Sequence, residues 1–168
     1  MNLFTGEAAD AFFGGDMPES ARRLLHQAAR SARGEVGALL WTAQAIAPQA
    51  LGIYYALYKH HAGLREFEQA ERAALRGLSE AAKQAGLDED WRQVTPERVP
   101  DGVNFRGSGA ARFWLFTLKA LAFIALRSGR PEDARELLAH IAALDDQAHL
   151  GSEVIATLLA SITSGSGG

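Results

Sequence analysis

The chain has no cysteine among its 168 residues. Disulfides, thiolate nucleophiles and Cys-ligated zinc are therefore excluded. Asparagine occurs only as Asn2 and Asn104, and there are 5 prolines. An excess of one charge is missing too. With 17 Lys and Arg against 20 Asp and Glu, the net charge is −3. That is too little of either sign to draw a phosphate backbone or an anionic membrane, so neither nucleic acid nor membrane is an expected partner. The longest apolar run, Phe113 to Leu126, is interrupted by Thr117 and Lys119. It falls short of the roughly 20 residues of a membrane span. Met1 to Thr5 lack the basic start of a secretory signal, and a cytoplasmic protein is expected. Strand signals are nearly absent, because no alternating Val, Ile or Thr run is bounded by turns.

Helix signals take their place. Ala, Leu, Arg, Glu and Gln dominate, and all lose little free energy in a helix. A short helix is read over Phe4 to Phe13. Asp16 then caps a helix with Pro18 in its first turn, broken at Arg33-Gly34. Further helices are read from Glu35 to Ala47, from Gln49 to Gly63, and from Arg65 to Ala85 with Gly86 as C-terminal cap. The last of these carries an apolar stripe of Phe67, Ala70, Ala74, Leu75, Leu78 and Ala82. Pro96, Pro100, Gly102, Gly107 and Gly109 then rule out one continuous helix from Asp88 to Ala110. Helix resumes from Ala110 to Arg127, turns at Gly129, and runs again from Pro131 to Leu144. A final helix is read from Gly151 to Ile162, and residues 164–168 read as a flexible tail or expression scar.

The helices repeat. Phe67-Glu68-Gln69-Ala70 and Pro131-Glu132-Asp133-Ala134 are both polar turns running into an Ala that opens an amphipathic helix. Ala134 lies 64 residues beyond Ala70, and Val36 lies 34 residues before it. A step of about 34 is the period of helical-hairpin repeats, and the longer step is one repeat plus an insertion of roughly 30 residues. The expected fold is all-α, a stack of about three antiparallel hairpins with that insertion before the last and a C-terminal capping helix. One domain covers residues 1–163, with hairpins at about 17–50, 51–84 and 115–148 and the insertion at about 85–114.

Leu118, Leu121, Ala122, Ala125, Gly129, Ala134, Leu138 and Ile141 resemble the tetratricopeptide repeat superfamily. In that family a large residue, a Leu and a small residue set the first helix, a Gly makes the turn, and an Ala packs where the helices cross. Tyr54, Leu57, Phe67 and Ala70 fit the preceding repeat. There Tyr58 is large where a small residue is expected, and Gly77 replaces Ala. Val36, Leu40, Ala43 and Pro48 resemble the second helix of a first repeat, while Arg23 and Leu24 match its first helix poorly. Ala56-Leu57-Tyr58-Lys59, Asp90-Trp91-Arg92 and Arg112 to Leu126 also look like small repeat proteins encoded among bacterial nitrogen-fixation genes.

The resemblance implies that the first helix of each hairpin lines a concave face that accepts an extended peptide or a partner helix. By the resemblance, Tyr55, Lys59, Lys119, Phe123 and Arg127 line it. Tyr and Phe supply stiff contact area, and Lys and Arg pair with carboxylates, so an acidic segment is the expected partner. For Tyr55 and Phe123 burial in the core stands as the other reading. A carboxylate clamp of the family's kind lacks its Asn partners here. Reversing Lys119 to Glu is expected to weaken binding without unfolding. The insertion carries Trp91, Arg98, Phe105 and Arg106, residue types enriched at binding hot spots. It is expected to act as a lid anchored by Trp91 and Phe105, or else as a passive loop.

No catalytic set, cofactor site or metal site assembles from the sequence. His60 and His61 are adjacent and diverge by about 100° on a helix. Glu132, Glu136 and His140 share a face, as in metal-binding bundles, but a solvated ion-paired face explains them. Asp88, Glu89 and Asp90 crowd a helix end. Gly107-Ser108-Gly109 lacks the Lys of a phosphate loop. A non-catalytic adaptor or assembly factor is the leading expectation. The alternatives are a homodimer or structural module built through the apolar terminal helices, including Val154, Ile155, Leu158 and Leu159, and a small-ligand binder with a closed pocket lined by Tyr54, Tyr55, Trp91 or Trp114.

Overall fold

Six helices are antiparallel neighbours in sequence order in the computed structural model, which describes residues 17–107 and 109–145. They are α1 (Glu19–Ala29), α2 (Arg33–Ile46), α3 (Leu51–Gly63), α4 (Phe67–Ala85), α5 (Ala110–Arg127) and α6 (Pro131–Leu144). A single 3₁₀ turn, Trp91–Gln93, interrupts the segment between α4 and α5, and the described residues contain no strand. The protein is thus an all-α stack of hairpins with an insertion before the last. The expected helices at Phe4 to Phe13 and Gly151 to Ile162, the Asp16 cap, Ser108 and the Ser/Gly tail lie outside the described residues.

Each helix end has a local cause. Gly86 closes α4 at φ +74°, and Gly129 turns α5 into α6 at φ +76°. Only glycine adopts that backbone at little cost. Pro131 opens α6 at its first position, where the missing N–H has no helical partner to lose. One expected break is displaced. Arg33 and Gly34 already belong to α2, and the chain turns at residues 30–32. Ser31 Oγ donates to the Gln27 carbonyl at 2.6 Å and satisfies the end of α1 there. The helix Ala110–Arg127 falls where expected, so the third hairpin starts before the bound of about 115 and less of the chain is insertion.

The core runs unbroken through the stack. Trp114, Phe113, Leu57, Leu118 and Ile124 are fully buried, as are Ala70 and Ala134 at the two helix crossings. The stripe on α4 is shifted from the expected one. Ala70, Ala73, Ala74, Gly77, Leu78, Ala81 and Ala82 face inward, whereas Leu75 is 45% exposed. One position beyond Ala74, it has rotated about 100° out of the crossing. Gly77, the departure from the repeat pattern, has a direct reason. A Cβ there would lie 2.7 Å from Tyr54 Cβ and 3.1 Å from Phe113 Cζ. The rings of α3 and α5 occupy the space an alanine would need.

Contacts between hairpins distinguish the two layers. The first helices α3 and α5 touch directly. Tyr58, also large where the pattern wants a small residue, is buried and meets Thr117 with its hydroxyl 3.4 Å from Oγ1. The second helices α4 and α6 are splayed apart. Arg130 bridges between them to Glu71, beside a cleft of ≈ 230 Å³. Close approach of first helices and separation of second helices put α3 and α5 on the inner side of the stack.

Candidate partner-binding face

The inner layer carries an aromatic and cationic stripe. Along α5, Phe116, Lys119, Phe123 and Arg127 fall at steps of three and four residues and so share one face. Tyr55 joins them from α3, its ring 5.6 Å from that of Phe116 and 5.6 Å from that of Tyr58. Phe116 is 38% exposed, an unusual position for a Phe, while Tyr55 and Phe123 are half-buried. The two readings of Tyr55 and Phe123 therefore meet in the middle: each packs on the core with one side and faces outward with the other. Arg127 is exposed and lays its guanidinium 5.8 Å from the Phe123 ring centre. Burial raises the Tyr55 hydroxyl above its ordinary range, so it stays a neutral donor.

Phe116 escaped the sequence reading because it sits in a helix apolar on nearly every side. The signal was its offset from Lys119, Phe123 and Arg127, which places it on the same stripe.

Lys59 is exposed one turn beyond Tyr55 on α3. It also borders a groove of ≈ 440 Å³ between the end of α1 and the end of α3, lined by Ser31, Val36, His60 and Leu64 among others. Lys119 has a different task. Its ammonium lies 3.5 Å from Asp145, with side-chain exposures of 16% and 3%. Arg106 reaches the same carboxylate at 3.4 Å. Among the described residues two cations thus reach the buried Asp145, which offsets its loss of hydration. The expectation that Lys119→Glu leaves the fold untouched is corrected on this ground. A second carboxylate against Asp145 is expected to lower the melting temperature, a change that thermal unfolding measures directly.

The insertion wraps the last hairpin. Trp91 meets His140 of α6 edge-on at 5.2 Å, and Arg92 stacks 4.3 Å above Trp91 while pairing with Glu136 at 2.5 Å. Val94 is buried, and its carbonyl takes the His140 Nε2 hydrogen bond. Glu136 and His140, which share a helical face, are thereby both occupied by the insertion. Further on, Phe105 packs 5.7 Å from the buried Trp114. Arg98 and Arg106 are exposed. Trp91 and Phe105 are therefore anchors, as expected. What they anchor is a strap along α6 and the start of α5, and Arg106 carries it to the carboxylate that Lys119 of the stripe also meets.

The rings proposed for a closed ligand pocket do not converge. Trp91 stands on His140, Trp114 on Phe105, and Tyr54 is buried with its hydroxyl donating to the Pro48 carbonyl at 2.6 Å.

One cluster has the composition of a metal site. His60, His61 and Glu66 bring ligand atoms within 4.8 Å of one another, although the two imidazoles are sequence neighbours. The turn between α3 and α4 accomplishes this. Arg65 sits at φ +61°, and the backbone N–H of Glu66 donates to the His61 carbonyl at 2.8 Å. The hydrogen bonds of His61 decide what the cluster does. Trp41 Nε1–H can only donate, and it points at His61 Nε2 from 3.0 Å. Nε2 therefore accepts, the proton sits on Nδ1, and Nδ1 donates to Glu66 Oε1 at 2.8 Å. Both nitrogens of His61 are spent. The cluster is a hydrogen-bonded clamp joining α2, α3 and the turn, with Arg76 stacked 5.4 Å from the Trp41 ring.

Among known proteins the chain is similar to one named "Uncharacterized 19.8 kDa protein in nifW 5'region" from Azotobacter chroococcum mcd 1. The two are 27% identical over 160 residues, covering 95% of this chain and 89% of the relative. No family model matches the chain, and no solved structure matches it. No helix of the described residues is long and apolar enough to cross a membrane.

Proposed function

We propose that this protein is a non-catalytic adaptor or assembly factor that holds a segment of another protein against the inner layer of its helices, in the setting of nitrogen fixation. The observation that carries the reading is the stripe Tyr55–Phe116–Phe123–Arg127, a partly exposed aromatic patch edged by a cation and built on two rigid helices. Helices hold these rings before any partner arrives, so little ordering entropy is lost on binding. Aromatic and Arg side chains of this kind dominate interface energies. The setting rests on the relative whose gene lies in the nifW region. Cytoplasmic location fits that setting and the absence of a spanning helix among the described residues.

The test is affinity purification from the native cell, grown with and without fixed nitrogen, using the wild-type chain and a Phe116→Ser/Phe123→Ser variant. A protein captured by the wild type under nitrogen-fixing conditions and lost with the variant supports the reading. The same proteins captured by both chains would overturn it, because the inner face would then have no part in binding.

A further inference from the structure

Charge is divided between the two helix layers. The first helices, α1, α3 and α5, hold six Lys and Arg and a single carboxylate, Glu19. The second helices, α2, α4 and α6, hold five Lys and Arg and seven carboxylates. In a molecule of net charge −3 the first helices thus carry a formal +5, of which Lys119 is directed at Asp145 and Arg23 lies near Glu19. Helix dipoles account for part of this, since they favour cations such as Arg127 in a last turn. They equally favour acids in a first turn, and α2, α4 and α6 carry them there. The first turns of α3 and α5 carry none, and neither helix contains an Asp or Glu anywhere. The dipole argument therefore leaves the missing acids unexplained. A surface that must accept acid explains them.

The division is also ordered along α5. From Phe116 to Arg127 is 11 residues, or about 16 Å of helix. The first two-thirds is ring: Phe116 with Tyr55 beside it, then Phe123. Lys119 lies within this stretch, but its charge is directed at Asp145. The remaining third is Arg127; Lys59, one turn beyond Tyr55 on α3, stands level with the ring stretch and borders the groove against α1. Among the described residues no carboxylate lies within ion-pair distance of Arg127 or Lys59. Beyond Arg127 the face runs out over Ser128 and Gly129, both exposed, with no atom within 4 Å of the open side of Gly129. Among the described residues nothing there closes around the end of a chain.

Resting on the adaptor reading, we infer that the occupant of this face is an internal segment of fixed polarity: aromatic or aliphatic side chains where it crosses Tyr55, Phe116 and Phe123, and side-chain carboxylates where it reaches Arg127. The segment lies along α5 and passes out over the α5–α6 turn. Its apolar part supplies area, and its carboxylates fix which way round it lies, since the reverse orientation places acid on the rings and leaves Arg127 facing an apolar side chain.

The experiment is selection of a random peptide display library against the full chain. Selected sequences are then measured as labelled synthetic peptides with both ends blocked, alongside an oligouridylate of similar length. The expected peptides carry an apolar pair followed by acidic residues. They bind Arg127→Glu about tenfold more weakly, equivalent to about 1.4 kcal/mol, and recover when their acids are exchanged for Lys. Arg127 is exposed, so this variant keeps its fold, which circular dichroism verifies. Peptides that lose binding with Phe116→Ser but show no acid preference and ignore Arg127→Glu would overturn the polarity and leave the adaptor reading standing. Peptides indifferent to Phe116→Ser would remove the face itself. Binding that needs a free C-terminal carboxylate, or an oligonucleotide that binds more tightly than any peptide and is lost with Arg127→Glu, would also overturn the inference.

Discussion

At the scale of single residues, the departures from the repeat pattern carry the clearest physics. Gly77 stands where an alanine is usual, and Ala is the better helix former by about 1 kcal/mol. Yet its added methyl would sit 2.7 Å from Tyr54 Cβ, an atom fixed to the α3 backbone. Overpacking of that kind costs roughly 1–3 kcal/mol, so Gly77→Ala is expected to be destabilising on balance in urea unfolding. A stabilised variant would show that α3 and α4 separate freely. Tyr58 is the other departure. Burial pushes its hydroxyl well above the ordinary value of 10.0, outweighing the opposing contact with Thr117. Unfolded, it ionises near pH 10; folded, it keeps its proton. The unfolded chain therefore binds fewer protons above that pH. The stability is complete below pH 10 and falls as pH rises, by about 1.4 kcal/mol per unit from this residue. Tyr58→Phe should flatten the alkaline part of the stability profile, and an unchanged slope would place the titrating group elsewhere.

At the scale of elements, the helices were legible because periodicity and punctuation agree. The bounds of α5 follow from Gly109 and Gly129, and those of α6 from Pro131. The break between α1 and α2 was misplaced because Arg33-Gly34 looks like a stop, whereas a Ser31 hydroxyl on a carbonyl does the stopping. The insertion was legible in length and in its anchors but not in where it lies. Trp91 and Arg92 announce contact, while the identity of the receiving surface depends on His140 and Glu136, 44 or more residues away. Its role as a strap can be tested by replacing residues 87–109 with a Gly/Ser linker that still spans α4 and α5. Trp91, Val94 and Phe105 would lose their contacts with the last hairpin, offset by release of ordering entropy. A net loss of about 2 kcal/mol would lower the melting temperature by roughly 4–8 °C. Peptide capture at the inner face should persist. Unchanged melting would make the segment a passive loop, and lost capture would return it to the binding site.

For the whole molecule, composition concealed what topology reveals. A net charge of −3 suggests no field of interest, and the sequence could not show that the first helices gather the cations until the hairpins were stacked. For the same reason Lys119 looked like a groove residue: its partner Asp145 comes from beyond the end of another helix. The layered charge has a kinetic consequence. At about 0.01 M salt the screening length is about 30 Å, so an approaching acidic peptide meets the field of the whole molecule, which repels it. At about 0.1 M the length is about 10 Å, near the diameter of one helix, and the peptide meets chiefly the inner layer, which attracts it. At 1 M both fields are screened. The association rate of an acidic peptide at the inner face should therefore rise from low to moderate salt and fall again at high salt, measured by stopped-flow fluorescence. A uniformly basic binding protein would instead show a steady decline. A monotonic decline here would mean that the acidic second layer is too distant to matter. A rate independent of salt would mean that the cations of the first layer do not face the partner.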